Sequence, residues 1–299
     1  MSVMEKTLRR LRGSAHEDLL APERGGVEVE TGLPGAEAAN GAASEPIARL
    51  HSRRLPVDFA ALRRAGLAPP EEDEPRLMSQ YRQVKRPLIA NATGRGAPML
   101  PNGRLIVIGS AMPGEGKTFT ALNLAISMSL EKDLHVVLVD ADVAKAQLTR
   151  VLDAAEAPGL LDALRDQNLD PERTVLPTDV ANLSLMPAGQ HSPQATELLA
   201  SSRMAQVAAI LLRRDRQRIL LFDSPPLLLT SESRVLTQMA GQVVVVVRAE
   251  ATPQPAVLDA LELLQGDGAV YLVLNRSTRA AIAGYYYRDA GRERISRAH

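Results

Sequence analysis

The 299-residue chain has no cysteine and no tryptophan, and only three phenylalanines and five tyrosines. Without cysteine there are no disulfides, no thiol nucleophile and no cysteine metal site, which fits a reducing compartment. Net charge is also absent, with 35 basic residues against 35 acidic ones. No global field therefore selects nucleic acid or acidic lipid, and nucleic acid is not an expected partner. No apolar run approaches the roughly 18 residues needed to cross a bilayer. The opening "MSVMEKTLRRLRG" is charged but lacks the apolar centre of a signal peptide. The sequence therefore predicts a cytoplasmic protein. Length alone suggests about two domains.

Ser2 to Glu5 matches a capping box, and Val3, Met4, Leu8 and Leu11 fall near one helical face. A short amphipathic helix and a frayed terminus both fit this start. Gly13 to Pro46 is rich in Gly, Ala, Glu and Pro without periodicity, the composition of a disordered linker. In "PVDFAALRRAG", Asp58 is a helix cap and Gly66 a stop. "PRLMSQYRQVKRPLIANA" predicts a second helix, with Leu77, Tyr81, Val84 and Leu88 at helical spacing and Pro87 near its end. The divisions are residues 1–54, 55–100, 101–280 and a tail at 281–299.

From about Arg104 short apolar strands alternate with helices: "RLIVIGS", "LHVVLVDAD", "LSLMPAG", "RILLFDSPP", "QVVVVVRAE" and "VYLVLNRS". After the first strand, "KTFTALNLAISMSLEKD" predicts a helix with Leu122, Ala125, Ile126 and Met128 turned inward. This alternation predicts an α/β fold, a mostly parallel sheet covered by helices on both faces.

Ala111 to Thr118, "AMPGEGKT", has the spacing of a phosphate-binding P-loop, with Ala in place of the usual first Gly. A strand precedes it and a helix follows. Gly114 and Gly116 let backbone N–H groups converge on phosphate oxygens, and the helix N-terminus adds its positive dipole end. Lys117 would reach the β- and γ-phosphates and Thr118 would offer its hydroxyl to Mg²⁺. Met112, Pro113, Glu115 and Phe119 complete the nucleotide-contacting stretch. The bland alternative is a glycine-rich turn with a surface lysine. Asp140, Asp142 and Asp223 follow predicted strands, on the carboxyl rim where open α/β sheets bind ligands. A lone aspartate there is usually a helix cap. Three beside a P-loop point instead to metal-assisted phosphate chemistry, with Asp142 and Asp223 as Mg²⁺ ligands. Asn275 and Arg276 end the last strand, where they would contact a nucleotide base or simply begin a loop.

Together these motifs resemble the bacterial tyrosine kinases, a branch of P-loop NTPases. The matching stretches are Pro113-Gly114-Glu115-Gly116-Lys117-Thr118, Asp140-Ala141-Asp142 and Asp223-Ser224-Pro225-Pro226. The subgroup encoded with exopolysaccharide and exosortase systems is similar from "MSVMEKTLRRL" through "YRQVKRPLIANA" to "FDSPPLLLTSESRVLTQMAGQVVVVVRAEATPQ". The resemblance implies ATP and Mg²⁺ as cofactors and autophosphorylation of a tyrosine-rich tail, here Tyr285, Tyr286 and Tyr287. It also implies homo-oligomers, a separate membrane activator of the chain-length-determinant type, an opposing tyrosine phosphatase, and a place at the inner face of the membrane through that partner. Three departures stand out, one of them the short cluster of three tyrosines with little spacing. The family's Glu-x-x-Arg-x-x-Arg helix, used in ring assembly, reads Ser79, Arg82 and Lys85, without the acidic partner. The basic residue common after Asp-x-Asp is Ala144, with Lys145 next to it.

Three adjacent tyrosines after Gly284 continue neither a strand nor a helix pattern. Phosphoacceptors and a sticky docking patch are the two readings. From Arg276 to His299 six arginines face Asp289 and Glu293, a net of +4. Each phosphate would add about −1.5 to −2, so full modification would reverse that sign. A phenol with pKa near 10 must lose its proton as it attacks, and Asp140 or Asp142 is the candidate base. Two rivals share the P-loop: a partitioning or septum-positioning ATPase, and a non-catalytic nucleotide-dependent scaffold. The former usually carries an extra lysine where this loop reads "GSAMPGEGK".

Overall fold

The computed structural model describes residues 54–264 and 268–277. The stretches read from sequence as an N-terminal helix and a linker, and the tail tyrosines, lie outside the described residues. None of the described helices is long and apolar enough to cross a membrane.

The first described helix, α1 (Phe59–Arg64), starts where expected. Asp58 Oδ1 accepts from the backbone N–H groups of Ala60 at 2.8 Å and Ala61 at 3.1 Å, satisfying two donors of the first turn. Gly66 follows the helix with φ 69°, a backbone state that suits glycine. The second helix, α2 (Glu74–Thr93), takes in the whole predicted stretch and ends six residues past Pro87. Pro87 is exposed and gives up its backbone donor, but Leu88 and Ala92 beyond it are fully buried. Their packing outweighs the local break.

Among the described residues seven strands form one sheet: β1 (Leu105–Ser110), β2 (His135–Asp140), β3 (Leu176–Pro177), β4 (Leu183–Met186), β5 (Arg218–Asp223), β6 (Gln242–Arg248) and β7 (Ala269–Asn275). Their order is β3-β4-β2-β5-β1-β6-β7, parallel except for β3 against β4. The two-residue β3 has no sequence signal. It holds an edge where Pro177 has no N–H to offer, and its outer side is met by Leu55, whose N–H donates to Pro177 O at 2.8 Å.

Helices between the strands are α3 (Lys117–Ser129), α4 (Gln147–Val151), α5 (Leu160–Arg165), α6 (Ala195–Leu199), α7 (Ser202–Arg214), α8 (Ser231–Met239) and α9 (Gln254–Glu262). One face of the sheet packs Ile106, Ile108, Leu138, Leu221 and Val244 with α3, and α1 and α2 join the same core through Leu62, Tyr81 and Leu88. The other packs Val107, Val139, Phe222 and Val245 with Leu161, Val207, Leu236 and Ala260 of α5, α7, α8 and α9. Leu122, Ala125, Ile126 and Met128 are buried as predicted, but so are Thr120, Asn123 and Ser127 on the rest of α3. The reason is a further layer, because α2 covers the outer side of α3. Lys85 of α2, itself buried, donates to Ser127 O at 2.6 Å and pairs with Glu131 at 2.8 Å. Gln242 ties α2 to β6 by donating to Leu88 O at 3.0 Å.

Coverage of both sheet faces fails at one place. On β7 alternate residues Val270, Leu272 and Leu274 are 39%, 57% and 60% exposed. They are register partners of Val243, Val245 and Val247, so they continue the α9 side of the sheet beyond β6. Val270 is partly covered beside Leu264 and Thr237, while more than half of Leu272 and Leu274 stays open.

Candidate active site

The loop between β1 and α3 bends through two left-handed glycines, Gly114 (φ 81°) and Gly116 (φ 96°). Gly116 is required twice over. An added Cβ would stand 2.1 Å from the Asn275 side-chain nitrogen. That nitrogen donates to Glu115 O at 2.9 Å, so the end of β7 props the loop from behind. The Glu115 side chain turns inward, accepting from Met112 N at 2.7 Å and from the Thr252 hydroxyl. Met112, Pro113 and Gly114 are exposed, Phe119 is half-buried, and Lys117 and Thr118 are buried at the head of α3. Asn275 thus spends its amide on the loop. Arg276 beside it is exposed at φ 56° and donates its N–H to Asn275 Oδ1 at 2.8 Å.

The three aspartates gather on the same rim. Lys117 Nζ lies 3.0 Å from Asp142 Oδ2, and both side chains are nearly buried. Asp140 and Asp223 are register partners at the ends of β2 and β5. Asp140 Oδ2 accepts from Thr149 twice, from the backbone N–H at 2.8 Å and the hydroxyl at 2.7 Å. Ala188 N donates to that hydroxyl at 2.9 Å, so Thr149 is locked in turn. The other Asp140 oxygen is buried and unpartnered. Neither Asp223 oxygen accepts a well-formed hydrogen bond, although the Thr118 hydroxyl is near enough to lower its pKa somewhat.

Burial is the main force on these carboxyls, because it penalises the charged form. It pushes Asp140 up to about 6 against the opposing Thr149 hydrogen bonds. It pushes Asp223 up to about 8, with the neighbouring Asp140 adding to the rise and Lys117 opposing it. A cation placed here would return both toward the charged state. Among the described residues no three His, Asp or Glu side chains form a ready-made metal cluster. Mg²⁺ seldom needs one, since it takes one or two carboxylates, water and substrate phosphates. The buried, unpartnered oxygens of Asp223 beside Thr118 suit that role.

Thr149 and Thr252 carry no motif in the sequence. Thr149 lies nine residues past Asp140 and Thr252 lies 137 past Glu115, so only the fold reveals them. At the positions of the ring-assembly motif, Lys85 is already engaged within the chain by Ser127 and Glu131, and Arg82 is exposed.

A family model described as an AAA domain matches residues 103–264. The tyrosine-protein kinase wzc of Salmonella typhimurium is 29% identical over 196 residues, covering 64% of this chain and 27% of that protein. The tyrosine-protein kinase YwqD of Bacillus subtilis is 29% identical over 159 residues, covering 53% of this chain and 65% of its own length. The match thus spans only about a quarter of the first of these relatives. Among solved structures, the VpsO kinase domain is 26% identical with a TM-score of 0.57, covering 70% of this chain and 100% of that one. The BceF tyrosine kinase domain is 26% identical, also with a TM-score of 0.57, over 71% of this chain and 86% of that one.

Proposed function

Given that the chain belongs to the AAA domain family, in the branch of the bacterial tyrosine kinases, we propose that residues 101–280 transfer the γ-phosphoryl group of ATP to tyrosine. The acceptors are Tyr285, Tyr286 and Tyr287 of the tail. The observation that carries this reading is the Lys117–Asp142 pair beside the buried oxygens of Asp140 and Asp223.

In this reading the loop amides from Pro113 to Thr118 hold the phosphates and Lys117 leaves Asp142 for the γ-phosphate. Thr118, Asp142 and Asp223 would hold Mg²⁺, which when bound neutralises charge on the phosphates. Asp140 is the better base of the two candidates. One of its oxygens is fixed by Thr149 and the other is free, and a pKa of about 6 suits a base working near neutral pH. The phenolic oxygen forms a bond to the γ-phosphorus, its proton passes to the carboxylate, and the bond from the γ-phosphorus to the bridging oxygen breaks to release ADP.

The wider role follows the resemblance: control of exopolysaccharide synthesis and export, as a homo-oligomer, at the inner membrane face through a chain-length-determinant-like activator, reset by a tyrosine phosphatase. Since Lys85 is used internally, assembly would have to engage other groups than that position of the ring motif.

Incubation of the purified chain with γ-labelled ATP and Mg²⁺ tests the reaction. Label on tail tyrosines supports it. Free phosphate alone points to a switch ATPase, and neither product to a scaffold. Either of those results defeats the kinase reading.

A further inference from the structure

A parallel sheet normally keeps both faces dry. Here the last strand presents Val270, Leu272 and Leu274 to solvent in a row about 13 Å long. The row ends at a shallow cleft shared by Val270, Val243, Leu264 and Thr237. Single exposed leucines are ordinary, but a continuous apolar row beside the core marks a docking surface. The helix flanking it, α9, has no lysine or arginine and exposes Asp259 and Glu262.

The chain itself supplies a match. Beyond Ser277 the sequence continues "TRAAIAGYYYRDAGRERISRAH". Its first part is apolar and aromatic, and its five arginines against Asp289 and Glu293 give it a net of +3. It leaves from the end of the strand that bears the apolar row. Ala280 lies five positions past Asn275, a reach of up to about 17 Å, enough to reverse direction and lie along the row. Length, apolar content and charge all fit a return onto this face.

We infer that the unmodified tail folds back in cis, with Ala280 to Tyr287 covering Val270, Leu272 and Leu274 and its arginines facing the acidic side of α9. The parked tail withholds its tyrosines from any active site. Phosphates added to the tail would face Asp259 and Glu262 and would not return. The docking stands on its own; only this consequence for phosphorylation rests on the kinase reading.

The test uses phosphatase-treated full-length protein without nucleotide, so loss of catalysis cannot influence it. The rate at which tetranitromethane nitrates Tyr285, Tyr286 and Tyr287 is read by mass spectrometry. The inference expects nitration at least about 10-fold slower in the parent than in the double variant Leu272→Asp, Leu274→Asp, with Tyr81 slow in both as the internal control for folding. Equal tail rates overturn it. A chain ending at Ser277 provides the second measurement and should bind an apolar fluorescent dye several-fold more than the full chain. Equal dye binding overturns the inference, as does tail protection that vanishes on dilution, which would make a second copy the occupant.

Discussion

Asp140 and Asp223 stand at the same register on adjacent parallel strands, and both are completely buried. Like charges at that separation in a dry rim resist joint ionisation. Burial of both carboxyls, with Asp140 adding to the rise at Asp223, sets the electrostatics of the site before any ligand arrives.

The first consequence is a stability that depends on pH. The unfolded carboxyls titrate near 4, whereas the folded ones are raised to about 6 and about 8. Between those limits the folded state holds protons that the unfolded state has lost, so stability falls as pH rises from about 4 to about 8 and then levels off. Thermal melts of the nucleotide-free protein from pH 5 to 9 should show this fall, and Asp223→Asn should flatten it. A variant melting curve that tracks the parent at every pH would exclude Asp223 as its source.

Lys117→Met should lower tail phosphorylation by about 100- to 1,000-fold. It also leaves Asp142 without its ion-pair partner in a nearly buried place, at a cost of about 3 kcal/mol. The double variant Lys117→Met, Asp142→Asn should regain most of that stability and none of the activity. Urea unfolding alongside the kinase assay separates the two effects.

Thr149→Val removes the hydroxyl that serves both Asp140 and Ala188 N. Two buried polar groups then lose a partner, for a loss of about 1–3 kcal/mol. Thr149→Ser, which keeps the hydroxyl, should stay within about 1 kcal/mol in denaturant titrations.

Gly116→Ala meets two obstacles, the left-handed backbone and the Asn275 side chain. Nucleotide binding should be lost, as calorimetry with ADP and Mg²⁺ would show. Adding Asn275→Ala removes the clash but not the backbone penalty of about 1–2 kcal/mol. Recovery should therefore be partial; full recovery would mean the backbone is free to relax.

The parts of the fold legible in the sequence are those written locally. Six of the seven strands announce themselves as apolar runs, and Asp58 and Gly66 bracket α1 as their side-chain chemistry dictates. The loop with its lysine and the three rim aspartates can also be picked out, because each lies within a few residues of a strand end. What the sequence hides is the work done at a distance. Nothing near Thr252 says that it holds Glu115, and nothing near Lys85 says that it is spent on α3. The open side of β7 escapes detection because an apolar run looks alike whether or not anything lies on it.

The two borders of the sheet are unequal. At β3 a proline and the crossing of Leu55 shut off further pairing, while β7 has no neighbour on its outer side among the described residues. Were the described strands to join across molecules, the free border among them is β7, so they would join β7 to β7. Such a union consumes the free border of both copies, so it would terminate as a symmetric couple and could not propagate into a fibre.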